Sequence, residues 1–175
     1  MKIKELRIRR FFSLSNILFI AVLLWVLIQQ GPIWYQNYQA RGTQAEVVTV
    51  RSLQGEAIAL PLPERHLVVF WATWCAPCTV ELRRIQNLID REAVRPEQIL
   101  AISTGESESV VAEAVRSREY SFPVAIDASH QAAHFYQIRG TPTVALVDEM
   151  GVIQWKATGL SPTLGYRVAS FLRGP

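Results

Sequence analysis

Cys75 and Cys78 are the only cysteines among the 175 residues, and they stand in the stretch FWATWCAPCTVEL, Phe70 to Leu82. Three chemistries fit such a pair: a redox couple, half a metal site, or a structural staple. A staple closing so small a loop would constrain the unfolded chain little. A metal site wants three or four ligands. The other soft or borderline ligands are His66, His130 and His134, the last two four apart on one expected helix. Thiolates suit Cu(I), so a copper-holding role for the two cysteines, with a histidine beside them, stays open.

The elements around the pair favour redox. Leu67 to Trp71 is a continuous apolar run and reads as a buried central strand. Past the cysteines, Leu82, Ile85, Leu88 and Ile89 recur at helical spacing, with Arg83, Arg84, Gln86 and Asn87 between them. Cys75 therefore ends a strand and opens a helix, where unpaired N–H groups and partial positive charge stabilise a thiolate. Cys78 lies one turn on, close enough to close a disulfide. Cys75 is the candidate nucleophile and Cys78 its resolving partner. Pro77 suits the first helical turn, where a missing N–H is harmless.

The rest of the chain alternates strand and helix. Val47–Val50 and Ala57–Leu60 flank Gln54-Gly55 as a hairpin. Ile99–Thr104 is a second buried strand, and Ser107–Tyr120 reads as a helix. Pro123–Ile126 is a short strand, with Asp127 or Ser129 capping a helix to about Tyr136. Thr143–Val147 and Val152–Trp155 form a hairpin around Glu149-Met150-Gly151, and Pro162–Leu172 is a closing helix. The order implies an α/β fold, a central mixed sheet flanked by helices with a hairpin at its start.

Phe11 to Ile28 carries no charge over 18 residues, about 27 Å of helix against a hydrocarbon core of ~30 Å. Five basic residues against Glu5 give the first 28 residues +4, so a whole-chain net charge of +3 leaves −1 for the remainder. A nearly neutral domain offers no electrostatic case for nucleic-acid binding. The positive charge lies in the residues that precede the apolar segment, and by the positive-inside rule the N-terminus stays in the cytoplasm while the domain is exported. A cleaved signal peptide is the rival reading, but the apolar run is long for one and no A-x-A-like site follows. Trp25, Trp34, Tyr35 and Tyr38 suit an interfacial belt. The expected layout is a basic tail over residues 1–10, a transmembrane anchor over 11–30, a Gly- and Pro-marked tether over 31–45, and a catalytic domain over 46–175.

FWATWCAPC, followed by Gly140-Thr141-Pro142-Thr143, resembles the thioredoxin superfamily. With the N-terminal anchor and Glu81 three residues past Cys78, it resembles the membrane-anchored TlpA/ResA-like thiol–disulfide oxidoreductases over about residues 45–172. The resemblance implies a thioredoxin-like fold and a cis Thr141–Pro142 bond facing the cysteines. Only X–Pro forms a cis bond at low cost. Such a turn would free the N–H and C=O of Thr141 for an extended substrate segment. Trp74, Ala76 and Pro77 would line the same substrate surface, with Trp71 packed below.

In the family Glu81 lies near the cysteines and assists proton transfer. A buried carboxylate there would have a raised pKa and could relay protons; the plainer alternative is a first-turn Glu favoured by the helix dipole. Thioredoxins proper carry a buried Asp where this chain has Val69, which leaves Glu81 as the candidate acceptor. Family members often have Pro two residues after the Glu, where this chain has Arg83.

The resemblance implies a single-pass protein of the bacterial inner membrane, N-terminus inside and domain in the periplasm. It would need no cofactor beyond the Cys75–Cys78 disulfide, no metal, and a membrane-embedded electron donor. It would act as a monomer on exported proteins bearing thiols or disulfides. Apocytochrome c, a cuproprotein assembly site or a disulfide isomerase would all suit as clients.

Overall fold

The computed structural model describes residues 14–174, with side chains from Asn16. The expected basic tail and the first three residues of the expected anchor lie outside the described residues. The chain divides into two units between Gln36 and Asn37.

The first unit is built on α1, Leu14–Gln39. Its span Asn16–Gln39, 24 residues, has a mean hydropathy of 2.0 in its most apolar window and none of that window is buried. At about 1.5 Å per residue it is ~36 Å long, enough to cross a membrane. Its apolar side chains form no single stripe, and Phe19, Trp25 and Ile28 are all exposed. A helix apolar all round has no face to give to water.

Here the structure departs from the sequence reading. Gly31 and Pro32 suggest a tether from residue 31, yet the helix runs through both to Gln39. Proline removes one N–H and its i−4 bond, but the bonds on either side persist, as in many apolar helices. Nor are residues 42–45 a free linker. Gly42 and Ala45 donate their N–H groups to Ile153 and Gly151 at 2.8 Å, and Ala45 is buried. Sequence pattern did not show this pairing because it spans more than a hundred residues.

The second unit is a seven-stranded sheet in the order β2-β1-β5-β4-β3-β6-β7. Its strands are β1 Val48–Ser52, β2 Ala57–Leu60, β3 His66–Trp71, β4 Ile99–Thr104, β5 Val124–Asp127, β6 Thr143–Val147 and β7 Ile153–Thr158. β3, β4 and β5 are parallel, and every other pairing is antiparallel. The expected mixed sheet and opening hairpin are therefore present. Residues 42–45 pair with Gly151–Ile153 and so cover the start of the outer edge of β7.

β3 is buried along its whole length and sits between β4 and β6. Its alternate residues feed two cores. Leu67, Val69 and Trp71 pack with residues of α2 (Ala76–Asp90), α3 (Glu108–Ser117) and α5 (Leu164–Arg173). Val68 and Phe70 pack on the other face with α4 (Gln131–Phe135) and the β1–β2 hairpin. Each large apolar side chain so buried contributes roughly 1.5–3 kcal/mol relative to exposure.

Of the histidines weighed as ligands, His66 has both ring nitrogens in local hydrogen bonds. His66 Nδ1 lies 2.7 Å from the Glu64 carbonyl, and Leu62 N–H donates to its Nε2 at 3.4 Å. Burial holds its pKa below the usual imidazole value. His130 precedes α4 in a left-handed conformation, φ 59°. Asp127, at the end of β5, accepts the Ala133 N–H at 2.8 Å and so caps α4, while Ser129 does not. α4 ends one residue before Tyr136.

Candidate active site

β3 delivers the chain to a turn in which Cys75 N–H donates to Ala72 C=O at 3.2 Å. Cys75 then takes the N-cap position of α2 in an extended conformation, and its Sγ accepts the Cys78 N–H at 3.2 Å. Cys75 and Cys78 form a disulfide with Cα atoms 5.2 Å apart. Cys75 is 5% exposed and Cys78 fully buried. The N–H aimed at Cys75 Sγ belongs to the orphan set of the helix tip, and such a donor stabilises a thiolate there. Pro77, in the first turn, and Ala76 are exposed beside it, and Trp74 stands out at 77%.

The facing wall comes from β6. Thr141–Pro142 is a cis peptide bond. The β3–β6 register pairs Phe70 with Thr143, so Pro142 falls beside Trp71, at the strand end that leads to Cys75. Thr143 Oγ1 donates to the Gly140 carbonyl at 2.7 Å, and Gly159 N–H donates to the Pro142 carbonyl at 2.7 Å. Among the described residues, neither the N–H nor the C=O of Thr141 is paired. The structure thus brings Trp74, Ala76, Pro77, Thr141 and Pro142 to one end of the sheet.

Glu81 lies one turn past Cys78 on α2 and is fully buried. Its Oε1 accepts the Ser161 N–H at 2.6 Å, and its Oε2 lies 3.3 Å from Arg84 Nη1. Arg84 also donates to the Ser161 carbonyl at 3.3 Å. The carboxylate is enclosed while its cation, 45% exposed, reaches water. Val69, equally buried, packs in the same core as both cysteines and offers no proton acceptor.

Sequence reasoning missed Arg84 and Ser161 as partners of Glu81. Arg84 sits three residues on, a spacing that brings side chains together on a helix, and could have been found. Ser161 carried no signal: its tie to Glu81 spans 80 residues.

Comparison with known proteins agrees with this geometry. The AhpC/TSA family profile matches residues 37–156. The thiol-disulfide oxidoreductase ResA of Halalkalibacterium halodurans is 30% identical over 148 residues, covering 80% of this chain and 84% of that protein. The sporulation thiol-disulfide oxidoreductase A of Bacillus subtilis is 25% identical over 144 residues, covering 80% and 87%. Among solved structures, StoA from Bacillus subtilis superposes with a TM-score of 0.62 at 22% identity, covering 73% of this chain and 96% of that one. A DsbE-type thiol:disulfide interchange protein from Chlorobium tepidum reaches 0.66 at 20% identity, covering 76% and 95%. These superpositions show the thioredoxin-like fold. With its paired cysteines at a helix tip on that fold, the chain belongs to the AhpC/TSA family and is a thiol–disulfide oxidoreductase of the ResA/StoA type.

Proposed function

We propose that this oxidoreductase is held in the bacterial inner membrane by α1, with its N-terminus in the cytoplasm and its catalytic domain in the periplasm, and that it reduces disulfides of exported proteins. The carrying observation is the site itself. Cys75 Sγ meets a helix-tip N–H, beside a Thr141 backbone left free to pair with an extended client. The basic residues ahead of the apolar helix support the orientation.

In the reducing direction the Cys75 thiolate attacks one sulfur of a client disulfide. A mixed disulfide forms, and the first client sulfur leaves as a thiolate that takes a proton. The Cys78 thiolate then attacks Cys75 Sγ, releases the second client thiol, and closes the Cys75–Cys78 disulfide. Two electrons pass to the client, and a membrane-embedded dithiol donor restores the enzyme. Glu81, one turn from Cys78, accepts the Cys78 proton through local rearrangement of its bonds to Ser161 and Arg84. Trp74, Ala76, Pro77, Thr141 and Pro142 form the client surface.

Cys78→Ser in the native host tests this reading, since removing the resolving thiol leaves Cys75 joined to its clients for identification by mass spectrometry. Thiol alkylation of the wild-type pair in cells reads direction: a mainly dithiol population supports reduction, and a mainly disulfide one sinks it. The rival role, Cu(I) carriage, would rest on the two thiolates, because among the described residues no three His, Cys, Asp or Glu side chains gather. Tight stoichiometric Cu(I) binding without exchange activity would favour it.

A further inference from the structure

The turn before Cys75 is held by side chains from two other parts of the fold. Thr73 N–H donates to Glu106 Oε2 at 2.8 Å, and the Thr73 hydroxyl donates to Glu106 Oε1 at 2.5 Å. The Thr73 carbonyl accepts from Arg118 Nη2 at 2.9 Å. Glu106, in the loop after β4, also accepts the hydroxyl of fully buried Ser103 at 2.7 Å. Arg118 stands at the C-terminal cap of α3. Both backbone groups and the hydroxyl of Thr73 are therefore fixed by charged partners, the stronger class of hydrogen bond.

Such a clamp is more than loop packing. Ala72 and Cys75, at the two ends of the turn, are buried in the core, but Trp74 is largely exposed, so the Thr73–Trp74 segment between them is held at Thr73 by these polar ties. The disulfide restrains Cys75 only while it is closed. In the dithiol that restraint is gone, whereas the ties to Glu106 and Arg118 run through Thr73 and do not depend on the disulfide. We propose that Glu106 and Arg118 are positioning residues that keep Cys75 Sγ against the Cys78 N–H in the reduced enzyme, and so set its thiolate fraction. This inference rests on Cys75 being the nucleophile.

The reduced full-length protein, alkylated with iodoacetamide across pH and mapped by mass spectrometry, separates the two ideas. In the wild type, preferential labelling of Cys78 would overturn the nucleophile assignment and the proposal with it. Preferential labelling of Cys75 leaves the clamp to be tested by variants. Glu106→Ala is expected to slow Cys75 alkylation at neutral pH about tenfold and to move its midpoint upward. Loss of a negative charge alone would act the other way, so the upward shift reports lost position. Glu106→Gln, which keeps an acceptor without the charge, should recover most of the rate. Arg118→Lys, which keeps the positive charge but loses the guanidinium fork that reaches the Thr73 carbonyl, should slow alkylation about threefold, and carries the test if Glu106→Ala does not fold. Wild-type pH profiles in the folded variants, with only the melting temperature lowered, would overturn the clamp while sparing the proposed function.

Discussion

Glu81 and Lys156 are both buried ionisable groups, and they are held in opposite ways. Glu81 has a backbone N–H on one oxygen and a guanidinium on the other, one helical turn past Cys78. Lys156, on β7, has only carbonyl partners among the described residues: Nζ donates to Tyr136 at 2.7 Å and reaches Gln137 at 3.4 Å. Those carbonyls lie at the C-terminal end of α4, where partial negative charge gathers. Burial, aided by Arg139, brings the Lys156 pKa down to about 8. The difference separates a charge with an outlet to water beside a thiol from a charge that pins a helix end to an edge strand. Burial alone does not mark a group for chemistry, whereas proximity to a reacting atom and a solvent-linked partner do.

The comparison breaks first on activity. Glu81→Gln, close in shape but unable to carry a proton, should slow client reduction on the order of 10²-fold, the low end for general acid–base groups. Lys156→Met should leave the turnover of folded protein near wild type. Equal losses in stopped-flow exchange assays would erase the distinction.

A smaller effect comes from pH. The folded pKa of Lys156 is depressed to about 8, so the unfolded chain binds the extra proton between that value and the ordinary lysine range. Stability from this group therefore rises as pH climbs through about 8 towards 10, and is lost as pH falls back through 8. Thermal melts of wild type and Lys156→Met should diverge in favour of wild type across that window. A constant gap would mean that Lys156 does not titrate there. The smallest change is expected from Arg84→Gln. The Arg84 guanidinium is half exposed and the Ser161 N–H stays on the carboxylate, so the loss is expected to be about 1–2 kcal/mol, and denaturant unfolding measures it. A loss of several kcal/mol would recast Arg84 as a structural partner of Glu81.

Legibility in the sequence followed the range of the interaction. Ile99–Thr104 is a strand with the bounds its apolar run suggests, and β3 begins one residue earlier than Leu67. The helix after the cysteines buries Leu82 and Ile85 as their spacing requires. Signals failed where local rules met a longer-range pull. Pro32 reads as a break but lies inside α1. The Asp127 cap of α4, by contrast, was legible, although Asp127 reaches Ala133 from the end of a strand and His130 takes the position next to the helix.

By itself the sequence determined the paired thiols at a strand-to-helix junction, a buried central strand beneath them, and an apolar helix long enough to span a bilayer. These are properties of residues within one or two turns of each other, where period and capping chemistry decide. Only the tertiary structure decided what surrounds the thiols. Sheet register set Pro142 beside Trp71, and folding brought Glu106 to Thr73 across 33 residues and Ser161 to Glu81 across 80. A buried donor or acceptor must find a partner, but which one it finds is set by strand order and helix packing, not by its neighbours in the chain.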